Sequence, residues 1–392
     1  MVEKRFDVIK FNDMPIIDIQ QMDFKIFLDN IIYSMQDYGG ASTYWKGLQK
    51  HLLELDNVQI ITQSENQSIF DSSGNKYNRS LQKNKFIFED LLPPFVLRFL
   101  PLTKRLPAGS LYHASYYRTC LQKNVVNIFT VHDLTHKKGL ASRFPRKLAH
   151  LTLTHLGLRN ADGIICISEN TKKDLMHYFP QIPENKIRTI YHGVNKDFFP
   201  IEQTEHNGII KAFKLDNPFI MYLGKRHGYK KFDLIPEAIR QMDNLRLVIV
   251  GGGDLSPLEV ENLENTIPGR YIKLGYIDNH DLNIMYNNAF ALIYPSVSEG
   301  FGFPLVEAMS AGCPVIATNT TSIPEVGGDA ALMINEASSA AIAEKINLLR
   351  DQVVRSSFIK RGLQQSRKFT WEKCFSETLK FYEDIYNRKF NS

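Results

Sequence analysis

Two glutamates flank a glycine-rich turn in the stretch YPSVSEGFGFPLVEAM, whose residues suit the binding of a polar ligand. Glu299 precedes the turn and Glu307 follows it, while Gly300 and Gly302 let the backbone approach a ligand closely. Pro304 favours the first turn of a helix, where free N–H groups attract anions. Ionised carboxylates accept hydrogen bonds from hydroxyls. This pattern indicates a ligand with phosphate in the middle and hydroxyls at both ends, as in a nucleotide sugar.

A cluster of basic residues in LGKRHGYKKF offers cations for such a phosphate. It follows the predicted strand PFIMYLG and contains Lys225, Arg226, Lys230 and Lys231. Arg226 and Lys230 are predicted to converge on a diphosphate, the Arg as a fork of donors and the Lys as a point charge. Taken alone, a basic loop of this kind is more often solvated surface.

The elements that must position these residues form two α/β domains. Short β-branched runs alternate with longer segments of helical period, which is typical of parallel sheets covered by helices. We predict doubly wound domains over 1–197 and 198–369 and a closing helix over 370–392 that packs toward the first domain. The predicted strands are FKIFLDNII, NVQIIT, KFIFE, SLYHA, NVVNIFTVHD, DGIICIS and IRTIYHG, then PFIMYLG, RLVIVGG, RYIKLG, FALIYPS, CPVIAT and AALMI.

Length and composition agree with this organisation. The chain has 392 residues, of which 43% are hydrophobic and 23% charged, so two globular cores are expected rather than a fibre or a disordered chain. It lacks an apolar run of the roughly 20 residues that a membrane helix needs, and its acidic, interrupted N-terminus does not resemble a signal peptide. We therefore expect a cytoplasmic protein. The four cysteines are widely spaced, which favours neither disulfides nor a zinc site.

Positive charge is concentrated between 101 and 150. The net charge is only +5, but this stretch has nine basic residues and one acid, Asp133. Anionic headgroups at the inner face of the cell membrane, a phosphate-bearing acceptor and plain solvent are the open alternatives. The apolar and basic run PPFVLRFLPLTKRLP allows the same membrane contact, with ordinary core and loop as its alternative. No nucleic-acid partner is expected.

A series of motifs stands in order along nearly the whole chain. They are YGGASTYWKGL, TVHDL, ICISENTKKDL, IYHGVN, GKRHGYKKF, VIVGGGD, LGYIDNHDL, SEGFGFPLVEAM and IPEVGGDAAL. In their order and spacing they resemble family 4 of the retaining glycosyltransferases, the glycosyl transferases group 1. Glu299 and Glu307 match the E-x7-E motif of that group. The resemblance implies the GT-B fold, in which two Rossmann-like domains face a cleft.

The resemblance also implies a role for each matching residue. Glu307 would hold the ribose hydroxyls and Glu299 the donor-sugar hydroxyls, while Arg226 and Lys230 would bind the diphosphate. His132 in TVHDL would contact the donor sugar near the reacting carbon, although a lone histidine at a strand end is more often structural. The other donor-binding residues are Gly39 and Gly40 beside the phosphate, Gly275, Tyr276 and Ile277 near the base, Gly300, Phe301, Gly302 and Phe303 along the sugar, and Leu305 and Val306 at the phosphates.

Residues for the acceptor are less specific. His113, Tyr116 and Tyr117 fall at a predicted strand end and Asp133 follows His132, so all four are candidates for the wall of the cleft. Buried aromatic packing is an equal alternative for 113–117. Many family members have Asn at the position of Lys231, which leaves the role of that lysine open.

The mechanism implied is metal-independent transfer with retention of anomeric configuration. The chain has no Asp-x-Asp pair for a divalent metal, and it needs no cofactor beyond its nucleotide-sugar donor. VIVGGGD is not a dinucleotide fingerprint, because Ser256 stands where the third glycine would be. GDP-mannose is the favoured donor, with UDP- and dTDP-sugars open, and a lipid-linked or cell-surface polysaccharide is the expected acceptor. An epimerase of the same fold and a non-catalytic glycan-binding relative are the rival functions.

Overall fold

A computed structural model gives the fold of most of the chain. It describes residues 24–34, 39–61, 94–98, 100–140, 146–202, 215, 218–226 and 228–391. The predicted strand KFIFE, at 85–89, lies outside these residues. Every other predicted strand is confirmed, and the chain forms two parallel six-stranded sheets.

The first sheet has the spatial order β2-β1-β3-β4-β5-β6, and every pair of neighbours is parallel. Its chain order reverses between β1 and β3. Its strands are β1 (Ile26–Asp29), β2 (Val58–Ile61), β3 (Ser110–Ala114), β4 (Val125–Val131), β5 (Gly163–Cys166) and β6 (Ile187–Thr189).

The second sheet has the order β12-β11-β10-β7-β8-β9, again all parallel, and reverses between β7 and β10. Its strands are β7 (Phe219–Leu223), β8 (Arg246–Val250), β9 (Tyr271–Leu274), β10 (Ala291–Tyr294), β11 (Val315–Thr318) and β12 (Leu332–Ile334). In open α/β sheets ligands bind at the carboxyl ends of the strands where the order reverses. The ends of β7 and β10 are therefore where a ligand is expected.

Helices cover the sheets. They are α1 (Gly40–Leu52), α2 (Pro94–Leu97), α3 (Arg146–Asn160), α4 (Glu169–Tyr178), α5 (Leu234–Ala238), α6 (Pro257–Thr266), α7 (Asn279–Asn288), α8 (Phe303–Ser310), α9 (Ile323–Gly327), α10 (Ser339–Leu348), α11 (Gln352–Ser366) and α12 (Trp371–Phe390). Single turns of 3-10 helix occur at Ile31–Ser34, Glu184–Lys186, Gly228–Lys230 and Gly328–Ala330.

Most strand residues are hydrophobic because both faces of each sheet are covered. In β8, Val248 packs into one core of the second sheet, and its neighbours Leu247 and Ile249 pack into the core on the opposite face. Side chains of a strand alternate between faces, so a run such as RLVIV serves two cores at once. This is the reason that the strands could be recognised from sequence.

Helix α12 returns to the first sheet. Thr370 caps it by accepting the N–H of Lys373 at 3.1 Å, and its buried face, including Trp371 and Tyr382, joins the core formed by β1 and α1. The chain passes between the domains twice. The two passages lie side by side where the Val194 N–H donates to the Phe369 carbonyl at 3.0 Å. The domain boundaries at 197 and 369 stay a prediction.

The basic stretch is partly used inside the fold. Arg118 is buried and lies 3.4 Å from the buried carboxylate of Asp29, and Lys138 pairs with Asp174 at 2.6 Å. Arg143 lies outside the described residues. The stretch therefore presents fewer surface cations than its sequence suggests.

The run PPFVLRFLPLTKRLP also contributes to the core. Leu97, Leu102 and Leu106 are buried, which favours the ordinary core alternative for this run. Among the helices that the structure describes, none combines the length and the apolar character needed to span a bilayer. Contact with a membrane surface stays a prediction.

Candidate active site

The loops after β7 and β10 meet at the predicted end of the second sheet. The Val297 N–H donates to the Tyr229 carbonyl at 2.9 Å and holds the two loops side by side. As a result Lys230 Nζ lies 2.6 Å from Glu299 Oε1. The structure thus brings together two residues, 69 positions apart, that the sequence assigned to one ligand.

The Lys230–Glu299 pair is partly enclosed. The Lys230 side chain is 20% exposed and that of Glu299 12% exposed. Lys230 Nζ also lies 5.2 Å from the ring centre of Tyr229 and 5.8 Å from that of Tyr294. Aromatic faces attract cations and orient them, so the ammonium group is held near the end of β10.

A short hydroxyl-rich segment after β11 holds the Glu299 loop. Thr321 Oγ1 accepts the Glu299 N–H at 3.0 Å, and the Ser322 hydroxyl lies 3.0 Å from the Glu299 carbonyl and 3.1 Å from that of Phe301. Thr321 has a left-handed φ of 51°, which is rare and costly for a β-branched residue. Sequence reasoning missed both residues, because TNTTS reads as an ordinary loop.

Helix α8 begins beside this loop. Gly302 stands before it with φ 107°, a conformation that glycine adopts readily, and Pro304 occupies its first turn. The side chains of Phe301, Leu305 and Val306 are buried, so only their backbone can serve a ligand. The Leu305 N–H already donates to the Gly302 carbonyl at 3.1 Å. Its predicted bond to a phosphate would have to share this donor.

Glu307 lies on the same helix and is partly enclosed. The Tyr286 hydroxyl donates to its Oε2 at 3.3 Å. Desolvation by burial raises the pKa of Glu307 to about 7, and the bond from Tyr286 opposes this shift. The carboxyl therefore changes its charge within the physiological range.

His132 of the first domain faces the Glu299 loop. Gly300 packs so closely against the His132 carbonyl oxygen that a β-carbon would overlap it, and the Thr171 hydroxyl donates to the Gly300 carbonyl at 3.3 Å. Burial lowers the pKa of His132 to about 4, with Asp133 opposing the shift. His132 is therefore a neutral partner at pH 7.

Aromatic rings extend this contact between the domains. The ring of Phe303 stacks on His192, with centroids 4.7 Å apart and planes at 6°, and it lies near Gly40. Tyr44 contacts both His132 and His192 through its ring. His192 was not singled out from sequence, although it stands in the motif IYHGVN.

Arg226 has other partners than the diphosphate predicted for it. Its Nε donates to Glu259 at 2.8 Å, Nη1 to the Gly251 carbonyl at 3.1 Å, and Nη2 to the carbonyls of Gly253 at 3.2 Å and Asp254 at 2.6 Å. The side chain is only 4% exposed. In this structure Arg226 supports the turn after β8, and contact with a diphosphate would require it to leave these partners.

The residues predicted near the base, Gly275, Tyr276 and Ile277, lie at the end of β9. Gly275 and Tyr276 are exposed and Ile277 is half-buried. In the basic loop, Lys231 has a left-handed φ of 52°. Asn tolerates this conformation better than Lys does, which gives a physical reason for the Asn of many family members. Gly39, also exposed, precedes α1.

The acceptor candidates differ in their surroundings. His113 is fully buried, and its ring nitrogens contact the hydroxyls of Tyr382 and Thr130, so the structure favours the packing alternative for it. Tyr116 and Tyr117 are half-buried, with ring centroids 4.3 Å apart. Asp133 is exposed and accepts the Thr135 N–H at 2.9 Å. Their contact with an acceptor stays a prediction.

Comparisons with known proteins agree with this architecture. The family model "Glycosyltransferase Family 4" matches residues 38–198 and the model "Glycosyl transferases group 1" matches residues 204–365. The O-antigen chain mannosyltransferase B of Escherichia coli is 31% identical over 58% of this chain and 62% of its own length. The serotype-specific mannosyltransferase WbdA of Escherichia coli is 27% identical over 54% of this chain and 27% of its own length. The matched part of this chain thus spans less than two thirds of either relative.

A solved structure has the same fold over almost the full chain. The sucrose-phosphate synthase of Thermosynechococcus elongatus superposes with a TM-score of 0.72 at 23% identity, covering 93% of this chain and 100% of that one. At this identity the likeness establishes the GT-B fold. With the two family models covering most of its length, the chain belongs to the family 4 glycosyltransferases, the glycosyl transferases group 1.

Proposed function

We propose that this glycosyltransferase moves mannose from GDP-mannose to a hydroxyl of a lipid-linked or cell-surface polysaccharide, without a metal and with retention of configuration. The observation that carries the proposal is the contact between Lys230 and Glu299 at the end of β10. It joins a cation for the diphosphate to a carboxylate for sugar hydroxyls, and Glu307 follows on the adjoining helix.

The choice of mannose rests on the relatives. Both Escherichia coli proteins are named as mannosyltransferases, and one of them acts on the O-antigen chain. The O-antigen chain in the first of these names supports the choice of a bacterial polysaccharide as the acceptor. The half-buried aromatic pair Tyr116 and Tyr117 offers apolar ring faces of the kind that sugars stack on.

In the proposed mechanism the chain's own groups neutralise the leaving diphosphate. Lys230 and the N-terminus of α8 supply positive charge where negative charge develops. His132, being neutral, exchanges hydrogen bonds with the sugar without adding charge. Glu299 binds hydroxyls and forms no bond to carbon. The departing phosphate oxygen takes the proton of the acceptor hydroxyl as that hydroxyl attacks from the same face.

Metal independence is part of the proposal. Among the described residues, Asp278, His280 and Asp281 are the group whose ligand atoms lie close enough to hold an ion. They stand at the start of α7, and Asp278 already caps that helix by accepting the Asp281 N–H at 2.8 Å. We expect full transfer activity in the presence of a chelator.

The donor is tested by thermal unfolding against a panel of nucleotide sugars. A ligand that binds only the folded protein raises its melting temperature, by an amount that grows with its concentration relative to Kd. GDP-mannose should give the largest rise in melting temperature, and UDP- and dTDP-sugars little. A rise with a UDP- or dTDP-sugar alone would contradict the donor assignment. Incubation with donor alone, followed by analysis for an epimer, tests the epimerase alternative.

Donor affinity is expected to increase as the pH rises from 6 to 8. Ribose hydroxyls bind best to the ionised form of Glu307, whose pKa is about 7. The ionised fraction then grows about tenfold over these two pH units, and Kd for the nucleotide sugar should fall by the same factor. Isothermal titration calorimetry measures this, with the intact nucleotide sugar as ligand because its esterified phosphates do not titrate near neutrality.

The Glu307→Gln variant is the control for this pH dependence. It should bind the donor more weakly than the wild type at pH 8 and with a flat pH profile. The pH dependence of folding stability has the opposite sign. The raised pKa of the Glu307 carboxyl stabilises the ligand-free fold at low pH, and this stabilisation is lost as the pH rises through about 7. A wild-type slope in Glu307→Gln would assign the titration to another group.

A further inference from the structure

The N-terminus of helix α4 is capped from the opposite domain. Ser168 caps its own helix by accepting the Thr171 N–H at 3.1 Å. The two preceding N–H groups, of Glu169 and Asn170, donate to Oε1 and Oε2 of Glu325 at 2.9 and 3.0 Å. Glu325 is 156 positions from Glu169 and belongs to α9, beside the second sheet. The cap therefore joins the two domains.

This cap has favourable chemistry. A helix N-terminus carries partial positive charge and free N–H groups, and a carboxylate that accepts two of them makes charge-assisted bonds. Each oxygen of Glu325 takes one N–H, so the carboxylate fixes both the distance and the angle of α4 relative to α9. A lone surface ion pair would not do this, because its long side chains swing freely.

The residues next to Glu325 hold the Glu299 loop. Ser322, three positions earlier, contacts the carbonyls of Glu299 and Phe301, and Thr321 accepts the Glu299 N–H. The five-residue segment 321–325 thus binds the Glu299 loop through Thr321 and Ser322 and the first domain through Glu325. A shift of α4 against α9 would be transmitted to Glu299.

A second contact beside the cap points to the same coupling. Thr171, in the first turn of α4, donates to the Gly300 carbonyl at 3.3 Å, and Gly300 packs against the carbonyl of His132. When Glu325 caps α4, the loop after Glu299 is therefore seated on the strand end that carries His132. The cap by Glu325 therefore forms together with the contact between the Glu299 loop and His132.

We propose that Glu325 is a positioning residue that latches the two domains and sets Glu299 against His132 for the transfer step. It does not touch the donor. Its loss leaves the nucleotide site on the second domain intact but lowers the population of closed, reactive enzyme. Turnover falls, and affinity for the bare nucleotide, whose ribose and diphosphate partners Glu307 and Lys230 lie on the second domain, does not.

The test uses variants on both sides of the latch. Glu325→Ala removes the acceptor. Glu169→Pro removes one donor N–H at a helix position that suits proline, after a residue already extended at φ −159° and ψ 159°. Glu169→Ala keeps that N–H and is the matched control, and Glu336→Ala, an exposed acid of the second domain, controls for lost charge.

The separation of the domains is measured by double electron–electron resonance in the ligand-free protein. Spin labels are attached through Lys123→Cys and Gln352→Cys, which are exposed positions in the two domains, and the four native cysteines are buried. Glu325→Ala and Glu169→Pro should broaden the distance distribution toward longer values, while both controls match the wild type. Wild-type distributions in both latch variants would overturn the proposal.

Turnover is measured with GDP-mannose and affinity with GDP. Loss of hydrogen bonds to a charged group predicts a kcat about tenfold to a hundredfold lower in the latch variants, with Kd for GDP within about twofold of wild type. Equal losses in kcat and in affinity for GDP would overturn the positioning role. If GDP-mannose fails to bind the wild type, the donor assignment fails, but the ligand-free distances still decide the latch. If Glu325→Ala does not fold, Glu169→Pro carries the test.

Discussion

Replacing Gly300 with alanine should slow sugar transfer about a hundredfold, while the second domain keeps its fold and its nucleotide affinity. A β-carbon at this position would overlap the His132 carbonyl oxygen and lie 3.1 Å from Ile167 Cδ1, both in the first domain. A backbone carbonyl at the end of a central strand cannot give way as a flexible side chain would. The domains must move apart to relieve the overlap, which separates Glu299 from His132.

The matched control for Gly300→Ala is Gly163→Ala. There the added β-carbon would lie 2.8 Å from Ile385 Cγ1 and 2.9 Å from both Ile128 Cδ1 and Phe381 Cζ, so the crowding is confined to the core of the first domain. Gly163→Ala should lower the melting temperature and leave kcat of the folded protein near wild type. Gly300→Ala should do the reverse and increase the radius of gyration in X-ray scattering. Near-normal turnover and an unchanged radius in Gly300→Ala would show that transfer does not need this contact.

The fold could be predicted because its signals are local. Strands such as β8 are buried on both faces and read as continuous β-branched runs, with turn residues at each end. Strands were predicted to extend too far where the backbone leaves the extended conformation without a change in the hydrophobicity of the sequence. FKIFLDNII, for example, ends as a strand at Asp29, whose carboxylate accepts the Ile31 N–H at 2.7 Å and starts a 3-10 turn.

The active site was predictable only where chemistry and chain order agree. Glu299 and Lys230 follow strands that flank the reversal of the second sheet, so their proximity follows from the topology. The partners of Arg226 could not be predicted from the topology, because an arginine uses the same N–H donors for a phosphate and for a ring of carbonyls. Thr321 and Glu325 were missed because their roles depend on contacts between distant segments, and neither residue type is unusual in a loop.

Lys230→Met and Glu299→Gln should each reduce kcat about 10²- to 10³-fold, because both remove charge from the site where the donor splits. Their effects on binding should differ. Glu299→Gln should weaken binding of the intact nucleotide sugar and leave the bare nucleotide diphosphate unaffected, since Glu299 serves only the sugar. Lys230→Met should weaken both ligands. Lys345→Met, which breaks an ion pair with Glu344 at 2.8 Å on α10, is the control and should change none of these.

The double variant decides whether the 2.6 Å contact between Lys230 and Glu299 is part of catalysis or only holds the loops together. Residues in contact give non-additive effects, so the double variant should be at most about tenfold slower than the worse single variant if the pair acts as a unit on the donor. A purely structural pair predicts a different result. Each single change would then lower the melting temperature, the two ligands would be weakened equally by Glu299→Gln, and the double variant would recover stability because no unpaired charge is left. Only the first result is compatible with a lysine that turns from Glu299 to the diphosphate as the donor enters.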